Sequence, residues 1–176
     1  MKWSRVLFWA ALIYGAYQAR GYFFPRHVPA LSYTDVQGRV HDFSRLDKPA
    51  VIGFWIDECG YSQRVMSVLD EIREEYPADK LDVVGFYLNP RMDAEIAAVG
   101  AREGYNVTLA GAQESPGLIE NLQKSFDIRG PGRDIYVIDK TGIIHTIKAV
   151  GGGGNPVSPG ELESEVSARV KSALGA

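Results

Sequence analysis

Six consecutive residues, Ala50-Val51-Ile52-Gly53-Phe54-Trp55, carry no polar or charged side chain apart from the indole. A strand that is apolar at odd and even positions alike has to be covered on both faces, which is the situation of a central parallel strand. A few polar residues follow, and then the only cysteine of the chain, Cys59, stands at the head of a helical pattern. In that pattern Val65, Val68, Leu69 and Ile72 recur at helical spacing while Arg73, Glu74 and Glu75 face outward, predicting a helix over 60–76. A thiol at a helix N-terminus meets unpaired backbone N–H groups and the positive end of the helix dipole, and both favour the reactive thiolate. Ser62 stands three residues on, where a dithiol site would carry its second cysteine.

The remaining pattern alternates. Residues 30–33 and 39–43 flank a Gln37-Gly38 turn and read as a hairpin. Residues 81–88 form a second buried strand, 93–103 a helix with Ile96, Ala97 and Gly100 inward, and 106–109 a short strand or loop. A helix over 116–126 has Ser115 as its cap and Pro116 at its first position. Strands over 135–138 and 143–150 surround a Lys140-Thr141-Gly142 turn, a glycine loop occupies 151–154, and a last helix starts at Ser158-Pro159 with Glu161 completing a capping box. Alternating β and α elements closed by a hairpin and a terminal helix predict an α/β fold: a mixed sheet with helices on both faces in one domain.

Composition narrows function by exclusion. The 176-residue chain has a formal charge of −3, and its first twenty residues carry only basic charges, so the body is acidic and without a basic run, which speaks against nucleic acid. One cysteine excludes an internal disulfide and any multi-cysteine metal site, so a disulfide must form with another molecule. His27, His41 and His145 are scattered, and no metal is expected. No glycine-rich phosphate loop follows a strand, and no cofactor is expected. Residues 1–20, with Lys2 and Arg5 ahead of the apolar run Val6–Tyr17, read as a signal anchor that spans the membrane and leaves the domain on the exported, periplasmic side of an inner membrane. A cleaved signal peptide and an apolar helix of a soluble protein are the alternatives. Residues 21–29 read as a linker and 30–176 as the domain.

The element order, the Tyr33-Thr34-Asp35-Val36-Gln37-Gly38 turn, the strand ending in Trp55 with Cys59 four residues on, Phe126-Asp127-Ile128-Arg129-Gly130, and Ile135-Tyr136-Val137-Ile138-Asp139-Lys140-Thr141-Gly142 together resemble the thioredoxin-like superfamily. The likeness is to membrane-anchored thiol–disulfide oxidoreductases of the TlpA/ResA type and to redoxins. It implies a thioredoxin-like fold, thiol redox chemistry and a protein thiol, disulfide or small thiol as partner. The sequence departs from that pattern twice. Cys-x-x-Cys is here Cys59-Gly60-Tyr61-Ser62, and serine cannot resolve a mixed disulfide. The cis-proline that the family packs beside its reactive cysteine falls either on Pro131 or on a position held here by Arg133, as in redoxins, where an arginine stabilises the thiolate.

Cys59 is therefore the expected nucleophile, Ser62 a hydrogen-bond donor to its sulfur, and Arg133 a thiolate partner. Trp55, Tyr61, Pro131 and Gly151 are the expected substrate-binding residues. Asp57 and Glu58 oppose the thiolate by like charge, so the direction of the thiol pKa stays open. Disulfide exchange ranks above peroxide reduction because the peroxidatic Pro-x-x-x-Thr-x-x-Cys pattern is missing: Ile52 and Ile56 hold its Pro and Thr positions. Two further readings remain: a redox-inactive binding module, and a protein that traps clients through Cys59.

Overall fold

The computed structural model describes residue 9, residues 25–111 and residues 117–175. The segment read as an anchor thus lies almost wholly outside the described residues. Among those described, no helix is long and apolar enough to cross a membrane. Ser115 and Pro116 also fall outside them.

The central sheet contains β3 (Ala50–Trp55), β4 (Asp82–Tyr87), β5 (Thr108–Ala110), β6 (Asp134–Ile138) and β7 (Ile144–Lys148), in the spatial order β5-β4-β3-β6-β7. Strand β3 lies in the middle, parallel to β4 and antiparallel to β6. The sequence expectation of a central strand therefore holds, and the sheet is mixed. Strands β1 (Ser32–Thr34) and β2 (Val40–Asp42) form the expected hairpin as a separate two-stranded sheet. The helices are α1 (Gly60–Glu75), α2 (Asp93–Glu103), α3 (Leu118–Phe126) and α4 (Pro159–Leu174), with a 3-10 turn over Gly152–Gly154.

The two-residue period of the strands divides the core into two halves. On β3, Val51 and Trp55 join Val65, Leu69 and Ile72 of α1 and Leu162, Val166 and Val170 of α4. Ala50, Ile52 and Phe54 point the other way, to Leu118, Leu122 and Phe126 of α3 and to Tyr33 and Phe43 of the hairpin region. All six residues of β3 are buried, which is why none of them is polar. Two glycines set the height of α1 above the sheet. Gly53 and Gly85 are register partners. A Cβ on Gly53 would lie 2.7 Å from a Val65 methyl, and one on Gly85 would lie 2.9 Å from Met66 Cε. Without side chains there, α1 settles onto the strands and its first turn stands over their C-terminal ends.

Both sheet edges are partly paired. Val36 N–H donates to Leu109 O at 2.9 Å beside β5, and Ile144 N–H and Val28 N–H donate to Arg26 O and Gly142 O, each at 2.8 Å, beside β7. Pairing of this kind removes the open ladder an edge strand would otherwise present. Residues 26–28 pair with residues 142–144 at that edge.

The hairpin turn is held by a buried carboxylate. Asp35 is 1% exposed and accepts from the Gln37 and Arg39 backbone N–H groups, from Arg39 Nε and from His41 Nε2, all within 2.9 Å. Burial pushes its pKa up, but these donors outweigh burial and hold it at about 2. A carboxyl depressed in the folded state stabilises it above the unfolded value near 3.9 and loses that contribution as pH falls toward the folded value. Acid titration of unfolding should therefore show about 2 kcal/mol vanishing between roughly pH 4 and pH 2, absent in Asp35→Asn. An unchanged acid limb in that variant would contradict this assignment.

Candidate active site

Cys59 is the N-cap of α1, with extended backbone angles, φ −116° and ψ 113°, and is partly exposed. Its sulfur makes no capping hydrogen bond of standard geometry. Burial pushes the thiol up and is the largest single influence. The Ser62 hydroxyl and the backbone N–H groups of Ser62 and Tyr61 act in the opposite direction and prevail, so the thiol lies below its ordinary value. The shift is thus downward, and the groups behind it are dipoles of the first helical turn.

Ser62 is buried, 1% exposed. Its Oγ accepts from the Ile56 N–H at 3.1 Å, just past the end of β3. With that lone pair occupied, the single hydroxyl proton remains for the sulfur. The serine therefore ties the strand end, the loop and the thiol together.

The two acidic residues ahead of Cys59 behave differently from the sequence expectation. Asp57 is spent elsewhere: it accepts from the Tyr87 hydroxyl and, at 2.7 Å, from Arg91 Nη1. The Tyr87 hydrogen bond lowers its pKa most, ahead of the opposing burial and of the Arg91 contact. Arg91 in turn lies over the Tyr87 ring at 5.4 Å. Asp57 is thus a neutralised anion and does not act on the thiol. Trp55 is in register with Tyr87, so the ends of β3 and β4 lie side by side and Asp57 meets the Tyr87 hydroxyl. Glu58 is exposed and left-handed at φ 58°, a conformation a non-glycine residue adopts only when its surroundings impose it.

Of the two placements of the family's cis-proline, the one on Pro131 is not met. No cis peptide bond occurs among the described residues. The residue against the first turn of α1 is Gly132, whose N–H donates to Phe54 O at 2.7 Å. A Cβ there would lie 2.3 Å from Ser62 N and from Tyr61 C. The approach is so close that only glycine fits, and it stands between the two candidates the sequence offered. Pro131 is half-buried beside it. Arg133 is exposed and lines a cleft with Arg129, Asp134 and Lys148, and it is not among the groups that set the thiol pKa. The groups that lower the thiol are the Ser62 hydroxyl and the backbone N–H groups of Ser62 and Tyr61.

Of the expected substrate-binding residues, Trp55 is 1% exposed and packs edge-on to Tyr87 and Tyr105 in the core, so it forms no rim. Tyr61 is exposed, and its hydroxyl donates to Gly154 O at 3.3 Å, bringing the glycine loop to the thiol side of the molecule. Gly151 is at that loop but its N–H already donates to Asn155 O at 2.8 Å, so it is not free for a ligand. No group of three or more His, Cys, Asp or Glu residues is arranged to hold a metal among the described residues.

No protein-family model matches the sequence, and no curated protein matches it. Solved structures do. A thiol:disulfide interchange protein of the thioredoxin family from Chlorobium tepidum shares 21% identity at a TM-score of 0.64, over 85% of this chain and 97% of its own. A secreted Mycobacterium tuberculosis disulfide oxidoreductase shares 19% at 0.60, over 79% and 96%. A Sco-family cytochrome c oxidase assembly protein described as having a disulfide switch shares 12% at 0.64, over 86% and 95%. At these identities the likeness is one of architecture, and it runs through nearly the whole of each relative. Sheet order, the position of the lone thiol at the head of α1 and these matches agree: the chain has the thioredoxin-like fold.

Proposed function

We propose that this is a single-thiol oxidoreductase in which the Cys59 thiolate attacks a disulfide and an external thiol releases the product. The observation that carries the reading is a partly exposed cysteine at the N-cap of α1 whose thiol is pushed below its ordinary value by the Ser62 hydroxyl and two backbone N–H groups. The thiol–disulfide chemistry of the structural relatives supports it. With Ser62 in the resolving position and no other thiol in the chain, the mixed disulfide has to be opened by a second molecule. The partner is accordingly a protein disulfide or a low-molecular-weight thiol. The basic and apolar segment 1–20 supports attachment to the inner membrane with the domain on the exported side.

Alkylation of Cys59 as a function of pH tests the chemistry. The expected midpoint lies below that of a free cysteine, about 8.5. Intact mass after exposure to a small disulfide should show one adduct, absent in Cys59→Ser. A midpoint above the free value with no adduct would instead favour the binding-module reading, and so would a Cys59→Ser strain that keeps its full cellular role. Membrane fractions washed at alkaline pH test the anchor: the full chain should need detergent for release, and release without it would overturn that part.

A further inference from the structure

Ile56, Asp57 and Glu58 carry the chain from the end of β3 to Cys59 at the head of α1. That short link is tied to two different parts of the molecule. Ile56 N–H donates to the buried Ser62 Oγ at 3.1 Å, which fixes the link to the first turn of α1. The Asp57 carboxylate fixes it to the neighbouring strand. Its Oδ1 accepts from the Tyr87 hydroxyl at the end of β4, and its Oδ2 accepts at 2.7 Å from Nη1 of Arg91, in the loop beyond. Arg91 is steadied in turn by the Tyr87 ring, whose centre lies 5.4 Å from the guanidinium carbon. Tyr87 is buried and packs edge-on to Trp55, so this anchor is rigid. Between the ties and the thiol lies Glu58, exposed and left-handed at φ 58°. Glu58 has no hydrogen bond or ion pair of its own among the described residues. Its unfavourable conformation is therefore imposed by what holds the residues on either side of it.

We infer that Arg91 is a positioning residue for the thiol: through Asp57 it holds the turn at Glu58 in its left-handed shape, and with it the placement of Cys59 at the head of α1. The inference rests on the single-thiol reading above. Asp57 acts here through the backbone and not as a charge on the sulfur. A bond between a guanidinium and a carboxylate is charge-assisted, and the Tyr87 hydroxyl adds a second donor to the same group. Together they keep Asp57 in place against the tendency of Glu58 to return to an ordinary backbone conformation. With Arg91 removed, the link relaxes at Glu58 and Cys59 turns away from the helix end. The thiolate then loses the N–H groups of Tyr61 and Ser62, whose hold on the sulfur depends on where this link delivers it.

The test follows alkylation of Cys59 against pH in the full chain. Arg91→Ala and Asp57→Ala are each expected to raise the midpoint by about half a unit, a roughly threefold loss of rate at pH 7. The double variant should do no more than either single one, since both cut the same tie. The shared sign is diagnostic: acting as charges, loss of the cation would raise the thiol and loss of the anion would lower it. Glu58→Gly supplies a rescue, because glycine enters the left-handed region without a side-chain penalty. Added to Arg91→Ala, it should bring the midpoint back toward the native value. Glu58→Gln removes the same charge but keeps the penalty, and should leave most of the shift in place. Arg91 is 33% exposed, so Arg91→Ala and its two companions stay readable even where Asp57→Ala does not fold. Shifts of opposite sign, no shift in Arg91→Ala, or equal rescue by glycine and glutamine would overturn the positioning role while leaving Cys59 chemistry intact. A native midpoint at or above that of free cysteine, with no adduct from a small disulfide, would instead remove the single-thiol reading itself.

Discussion

Gly132→Ala is expected to lose about 3 kcal/mol of stability, seen as a fall of about 10 °C in Tm. Two causes add. The native φ of +66° is unfavourable for a residue with a Cβ, and the new methyl would lie 2.3 Å from main-chain atoms of Tyr61 and Ser62. Those atoms belong to a helix pinned to the sheet, so the clash cannot be relieved by rotating a side chain. Gly153→Ala provides the comparison, because its φ is +80° with nothing within 4 Å of the added carbon. It should cost only about 1 kcal/mol, the conformational part alone. The difference between the two variants isolates the contact. Displacing the first turn of α1 also moves the N–H groups that favour the thiolate, so the surviving folded fraction of Gly132→Ala should alkylate more slowly at neutral pH. Equal Tm values for the two variants would show that the close approach is not a constraint.

Ser62→Ala is expected to slow alkylation of Cys59 at pH 7 about tenfold, because a hydrogen bond to a charged group is worth about 1.5–3 kcal/mol. The sign follows from which form the hydroxyl stabilises: it donates to the sulfur and favours the thiolate, so its removal raises the thiol pKa and depletes the reactive form. Raising the pH should restore the rate, since the thiolate then forms without help. A loss that persists at high pH would point to altered access instead. The same variant leaves the Ile56 N–H without its acceptor, at a stability cost of about 1–2 kcal/mol. An unchanged pH–rate profile would show that the backbone N–H groups alone set the thiol.

The chain's patterning is legible wherever burial is two-sided or periodic. The uninterrupted run of β3, the helical spacing of α1 and the Ser158 cap, whose Oγ accepts from Glu161 N at 3.3 Å, each stand where the residues indicated. The resemblance to the thioredoxin-like superfamily and its position for the reactive thiol were likewise readable from local motifs. What was not readable are the contacts made across the sheet end. Arg133 and Trp55 were reasonable site residues by type and order, yet one faces a side cleft and the other is sealed in the core. Asp57 looked like an unpaired charge beside the thiol because Arg91, its partner, comes from the loop after a different strand.

Sequence alone determined the layering of this protein and the place of its single thiol at the head of α1, since hydrophobic periodicity and one cysteine leave little freedom in either. The tertiary structure decided what surrounds that sulfur. Its neighbours, the Ser62 hydroxyl, two backbone N–H groups and the glycine that backs them, come together only where β3, α1 and the segment before β6 converge. Whether a dipole or a charge reaches an atom depends on distances of a few ångströms, and those are set by packing rather than by order along the chain.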